Sequence, residues 1–235
     1  MLEMLKVASV PALAAEAGLV HGFEQRLGTD GSEARDEGRR RVAAALAASG
    51  TLLVLRQVHG VALHEAPWQG RPEGDVALAR TPGWLLGIET ADCLPVLLVD
   101  PRRRAVAAAH AGWRGTAAGV TRRAVEALLD TGSSSADLIA ALGPSIGPCC
   151  YEVGEELRDA FGPAGAAFFR PGARGRSHLD LRAANERQLR EAGLRAERVH
   201  HVADCTRCRP ELYHSYRRDG PDAGRMLSYV GWSLG

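Results

Sequence analysis

His59, Cys93 and His110 are the residues of this chain best suited to chemistry, and each sits in a short distinctive phrase. The phrases are Arg56-Gln57-Val58-His59-Gly60, Thr90-Ala91-Asp92-Cys93-Leu94-Pro95 and Ala109-His110-Ala111-Gly112-Trp113-Arg114-Gly115. Two imidazoles and one thiolate make a three-ligand set that suits zinc and leaves a fourth position for water or substrate. The three residues lie 34 and then 17 positions apart, too far for a zinc finger, so separate elements of a fold must gather them. Plainer readings exist: Cys93 as a small buried hydrophobe, and each histidine as a hydrogen-bonded core residue. Cys93 could also be a nucleophile with His110 as its base, because such pairs form thiolate and imidazolium. Only the metal reading uses His59.

Residues beside these three extend the candidate site. Asp92 could orient a ligand imidazole or shuttle a proton, although an Asp before a turn is often just a cap. Gly112-Trp113-Arg114-Gly115, opening a helix, would aim backbone N–H groups and a guanidinium at an anion. Arg56, Gln57 and Arg114 are expected to line a substrate pocket. Cys205-Thr206-Arg207-Cys208 matches C-x-x-C, but no second pair at zinc-ribbon spacing accompanies it, which makes it a weak pointer to another metal. Cys149 and Cys150 read as packing or a pocket thiol, and His214 to Gly220 as an exposed hairpin.

The elements that must position these groups follow from the apolar pattern. A helix is predicted over Glu33 to Ser49, ended by Gly50, and a strand over Thr51 to Val58 leads into His59, with Val61 to Ala66 as its pairing partner. Strands are predicted over Trp84 to Thr90, Leu94 to Val99 and Ala105 to His110, and a helix over Thr116 to Leu129. Leu138 to Leu142 reads as a strand, a helix follows Tyr151, and another covers Asp180 to Ala192. Strands over Val199 to Ala203 and Met226 to Val230 complete the set. Strands and helices mix without strict alternation, which favours an α+β layered domain over a doubly wound parallel sheet.

Composition narrows the functional class. At 46% apolar and 24% charged residues the chain is ordinary for a globular protein, and its net charge of +1 gives no electrostatic footprint for nucleic acid or an anionic membrane. Lys6 is the only lysine among 29 basic residues, so an arginine here argues less for phosphate recognition than it would elsewhere. Five cysteines, with no secretory pattern or spanning segment, point to a cytoplasmic protein whose thiols are ligands, nucleophiles or packing rather than disulfides. No G-x-G-x-x-G follows a strand, and the chain lacks a Walker loop, H-E-x-x-H, G-x-S-x-G and the nucleobase deaminase signature.

Taken together, the phrases resemble the bacterial YfiH family, described both as laccase-like and as purine nucleoside phosphorylases. The matching stretches include His21-Gly22-Phe23, the three phrases above, Gly143-Pro144-Ser145-Ile146, Cys150-Tyr151-Glu152-Val153, Asp180-Leu181 with Asn185, Cys205-Thr206, Ser215-Tyr216-Arg217-Arg218 and Gly224-Arg225. They run in family order across nearly the whole chain. One departure is Glu24-Gln25-Arg26-Leu27-Gly28, where the family has an Arg- and Gly-rich turn.

The resemblance implies one domain over residues 1–235, folded as a four-layer α-β-β-α sandwich with mixed sheets like the deamidase domain of cytotoxic necrotizing factor toxins. It implies a zinc site of His59, Cys93 and His110. From the residues themselves, Cys93 and His110 are expected to act in catalysis, and Asp92 to protonate or hydrogen-bond the departing purine. The implied reaction is phosphorolysis of adenosine, inosine and methylthioadenosine, with adenosine deamination beside it, so the partners are nucleoside and phosphate. Three rivals stand against it, the plainest being a non-catalytic partner protein that uses the zinc site only for structure. A metal-free Cys-His hydrolase or amidase could act on a peptidoglycan precursor, since some family members are associated with cell-wall quality control. A copper polyphenol oxidase is the third, but a multicopper site draws on many histidines, commonly in H-x-H pairs. The chain has eight His and no such pair. Cu(II) could still occupy the three-ligand site, since it exceeds Zn(II) in raw affinity.

Overall fold

The computed structural model describes residues 5–26, 34–173 and 175–234. The first half of the chain forms β1 (Val7–Ala8), α1 (Pro11–Ala14), β2 (Leu19–Glu24), α2 (Ala34–Leu46), β3 (Thr51–Val54), β4 (Leu63–Glu65), β5 (Val76–Ala79), β6 (Trp84–Thr90), β7 (Leu94–Asp100) and β8 (Ala105–Ala111). Then come α3 (Trp113–Ala117), α4 (Val120–Asp130), β9 (Ile139–Leu142), β10 (Glu152–Val153), α5 (Glu156–Phe161), β11 (Phe169–Pro171) and β12 (Ser177–Leu179). The last elements are α6 (Leu181–Glu191), β13 (Val199–His201), α7 (Tyr216–Asp219) and β14 (Met226–Trp232).

Two mixed sheets carry the architecture, in the orders β1-β2-β14-β6-β3 and β13-β9-β7-β8-β5-β4, and β10-β12-β11 form a small antiparallel third sheet. Alternation along each strand assigns its side chains to opposite interiors. On β7, Leu97 and Val99 face the first sheet, meeting Leu86, Ile88, Val230 and Phe23. Its Val96 and Leu98 face the other way, onto Val125 and Leu128 of α4 and Leu189 of α6. Behind the first sheet, Val42 and Leu46 of α2 cover Leu85, Leu227 and Tyr229. The result is four layers, α-β-β-α. All residues of β7 and β8 are buried, and the alanines of β8 let helix and sheet approach it closely from both sides.

Several local expectations change. Val61 to Ala66 does not pair with the strand before it: β4 joins β5 in the second sheet, while β3 joins β6 in the first. The first strand ends early, at Val54, and the chain crosses between sheets through His59, which takes a left-handed φ of 63°. The helix expected over Thr116 to Leu129 is two, because Gly119 takes a φ of 87° between α3 and α4. After Tyr151 the chain makes the short strand β10 before α5, and the segment from His214 folds into the single turn α7 instead of a hairpin, with Ser215 capping Arg218 N–H. The expected helix start at Glu33, and Leu27 and Gly28 of the divergent turn, lie outside the described residues. Among the described residues no helix is long and apolar enough to cross a membrane.

Candidate metal and substrate site

Strand register brings the three separated phrases together. Ala91, Asp92 and Cys93 carry the chain from β6 in one sheet to β7 in the other, and Asp92 makes the bend with a φ of 89°. Pro95 pairs with His110 and Leu94 with Ala111, so Cys93 emerges beside the end of β8. On the other flank of β8, His110 N–H donates to the Asp75 carbonyl at 2.9 Å, just before β5 begins. The fully buried Asp75 then clasps the His59 loop: Oδ1 accepts from His59 N at 3.0 Å, and Oδ2 from Val58 N at 3.1 Å and Gly60 N at 2.7 Å. Three charge-assisted hydrogen bonds hold His59 in a backbone conformation that few side chains adopt unaided.

His59 Nε2 lies 3.8 Å from Cys93 Sγ, and the His59 and His110 rings meet edge to face at 4.8 Å between centroids. One donor atom from each of His59, Cys93 and His110 lies within 4.8 Å of the others. Asp75 Oδ1 accepts from His110 Nδ1 at 2.8 Å, which commits that nitrogen and leaves the other for Cys93. A carboxylate behind a ligand imidazole is the usual support of a protein metal site. Burial alone would push the Cys93 thiol up, but the His110 charge and hydrogen bonds from both imidazoles outweigh it and bring it down to about 6. Burial works against His110 being charged, yet the Cys93 thiolate and Asp75 raise it to about 9. The donor set therefore fits a divalent cation: anionic sulfur, two oriented imidazoles, and a gradient from exposed His59 to buried His110 that leaves one side open. Gly112 completes the fit, since a Cβ there would stand 2.7 Å from His59 Cδ2 and 3.1 Å from Cys93 Sγ.

These residues form the floor of a cavity of about 710 Å³, a volume suited to a small-molecule ligand. Arg56, Gln57, Asp92 and Arg114 all line it, so the structure brings every expected site residue to one place. Their surroundings differ. Arg56 is ion-paired with Glu73, whereas Arg114 stacks on Trp113 at 4.4 Å and pairs with no carboxylate among the described residues. Gln57 spends its side-chain amide on the Glu89 main chain, at 2.7 and 2.8 Å, prolonging the β3–β6 pairing by one rung. Asp92 does not touch the imidazoles; it accepts from Thr206 Oγ1 and from Arg217 N, each at 2.6 Å. The orienting carboxylate is that of Asp75.

Sequence reasoning passed over Asp75, Tyr151 and Arg217. The signal for Asp75 was present, since an acid heads the apolar run Val76-Ala77-Leu78-Ala79. Arg217 lies over the Tyr151 ring at 5.2 Å, and burial followed by the nearby Cys93 charge pushes the Tyr151 phenol above its ordinary range. The other histidines lie apart. His21 accepts from Val10 N, while His64, His178 and His201 contact Glu73, Pro148 and Glu186. Among the described residues no second group of histidines converges as a multicopper centre needs.

The family described as multi-copper polyphenol oxidoreductase laccase matches residues 22–233. A protein of Deinococcus radiodurans named purine nucleoside phosphorylase is 42% identical over 197 residues, 83% of this chain and 76% of its own length. An adenosine deaminase named RL5, from an unknown prokaryotic organism, is 39% identical over 160 residues, 66% of this chain and 61% of its own length. The crystal structure of the hypothetical protein YfiH from Bacillus licheniformis superposes with a TM-score of 0.83 at 27% identity, covering 92% of this chain and 93% of that one.

Proposed function

This chain belongs to the multi-copper polyphenol oxidoreductase laccase family, and we propose that it is a zinc-dependent purine nucleoside phosphorylase. Its substrates in this reading are adenosine and inosine, split by phosphate into free base and ribose 1-phosphate, and methylthioadenosine, split into adenine and 5-methylthioribose 1-phosphate, with adenosine deamination as a second activity. One observation carries the proposal: a His-Cys-His donor set on the floor of a cavity walled by guanidinium groups and aromatic rings.

Zinc held by His59, Cys93 and His110 would supply a Lewis acid with an open coordination position. The chain's own residues do the rest. Trp113, Tyr151 and Tyr216 line the cavity and supply aromatic surface for a purine. Tyr151 keeps its phenolic proton at neutral pH and can donate it in a hydrogen bond to the departing base. Arg114, not offset by a carboxylate among the described residues, presents its charge to phosphate. Arg39 and Arg71 share Glu89, and Arg56 has Glu73, so their charges are more nearly balanced. Asp92 keeps the Arg217 segment against the cavity wall. The test is product identification after incubating adenosine with and without phosphate. Adenine plus ribose 1-phosphate supports phosphorolysis, inosine supports deamination, and neither product sinks the reading.

A second reading rests on the Asp75–His110–Cys93 chain, which has the layout of an orienter, a base and a nucleophile. It describes a metal-free hydrolase or amidase acting on a cell-wall precursor. Stripping the protein of metal separates the two: a hydrolase of this kind keeps its activity, and the phosphorylase loses its own.

A further inference from the structure

The four cysteines remote from the triad lie together. Cys149 and Cys150 belong to the loop after β9, and Cys205 and Cys208 to the turn after β13, with Cys150 and Cys208 58 residues apart. Each of the four sulfurs is within 4.8 Å of the other three. Cys208 Sγ is 3.3 Å from Cys150 Sγ and 3.7 Å from Cys149 Sγ, and all four cysteines are free thiols. We infer that Cys149, Cys150, Cys205 and Cys208 bind one divalent metal ion, zinc by preference, as a closed four-sulfur site separate from His59, Cys93 and His110.

Tetrahedral zinc with bonds of about 2.3 Å sets its sulfurs about 3.8 Å apart. The two shortest contacts, 3.3 and 3.7 Å, lie just under that edge and no sulfur is more than 4.8 Å from another, so a single ion can sit among the four with small adjustments. An iron–sulfur cluster, whose cysteines ligate different irons, needs them spread more widely. The backbone is already shaped for the task. Cys208 N and Arg209 N both donate to the Cys205 carbonyl at 3.1 Å, folding the C-x-x-C turn so that both sulfurs face one side. Gly147 N donates to Cys205 Sγ at 3.2 Å, the kind of contact a ligating thiolate accepts. A Cβ on Gly147 would stand 3.3 Å from both Cys149 Sγ and Cys205 Cβ, so the loop passes closest where it has no side chain. Arg182 and Arg207 lie close enough to offset the negative charge of four thiolates around one dication.

The two clipped segments also wall the cavity. Ile146 and Tyr151 line it from the first, while Thr206 holds Asp92 from the second. Zinc here would brace that wall and leave no coordination position for substrate.

Protein purified in reductant from cells grown without added metal should contain two zinc equivalents per chain by elemental mass spectrometry. Cys205→Ser with Cys208→Ser should leave one, and so should His59→Ala with His110→Ala. In the histidine variant, cobalt exchanged for zinc should give the strong charge-transfer absorption of four thiolates, and the cysteines should resist a thiol reagent until a chelator is added. One equivalent in the wild type that survives in the cysteine variant overturns the inference. So does a disulfide among the four in protein kept in reductant. If a variant fails to fold, cobalt titration of metal-free wild type decides, because a tetrathiolate spectrum either appears or does not.

Discussion

Asp75 stands behind His110, its Oδ1 accepting from Nδ1 at 2.8 Å, and the same carboxylate takes three backbone N–H groups of the His59 loop. One acid thus orients one imidazole and sets the path that delivers the other. Asp75→Asn, which keeps an acceptor oxygen but loses the charge, should leave the fold in place and weaken metal binding about 10–100-fold. Asp75→Ala should also lower unfolding stability by about 3–5 kcal/mol. Metal titration and urea denaturation of the two variants check both; unchanged metal affinity in Asp75→Asn would remove the carboxylate from the site.

Gly112 has a φ of −74°, so alanine carries no backbone strain there. Its methyl group would nevertheless press on His59 and Cys93. Gly112→Ala should keep a wild-type circular dichroism spectrum while metal content and activity fall at least tenfold. Full metal content in that variant would show that the two side chains have room to move.

Arg114→Ala should raise the KM for phosphate at least tenfold, as loss of a charge-assisted contact predicts. Phosphate-independent deamination of adenosine should change little. Equal losses in both reactions would mean that Arg114 serves the purine or the fold and not the anion.

Asn185 is fully buried and joins three helices: it accepts from Thr121 Oγ1 at 2.7 Å and donates to Thr116 Oγ1 at 2.9 Å and the Leu181 carbonyl at 2.8 Å. Asn185→Ala strands two hydroxyl groups in the interior and should cost about 2–3 kcal/mol of stability. The denaturant midpoint should fall with an unchanged slope.

Burial, then the charges of Arg26, Arg218 and Arg225 against Asp219, hold His214 down at about 4. In the unfolded chain it titrates near 6.5, so between these values the unfolded state binds more protons. His214 therefore leaves stability untouched above about pH 6.5 and erodes it as pH falls toward 4. His214→Gln should flatten the decline in melting temperature over that window by a few degrees; an identical decline in both proteins would show that other groups cause it.

The central strands were legible because β6, β7 and β8 are continuous apolar runs ended by turns. β2 was not, because His21 and Gly22 interrupt its apolar pattern. β5 is only four residues long, and with it went the chance to see Asp75, whose role depends on Val76 pairing with Ala109. The pairing of β4 was misread for a related reason: sequence shows two adjacent apolar runs but not that a left-handed residue between them sends each to a different sheet. The meeting of His59, Cys93 and His110 could be expected from residue type, helped by family likeness. The meeting of Cys149 and Cys150 with Cys205 and Cys208 could not, since loops carry no periodicity that reports a tertiary contact.

Because β7 and β8 are covered on both faces, their amides should be the last to exchange with deuterated solvent, opening only when the whole molecule does. Cys93 precedes one of these strands and His110 belongs to the other. Heat should therefore abolish ligand geometry at the same temperature as it melts the globule, with no earlier step in which the pocket loosens alone.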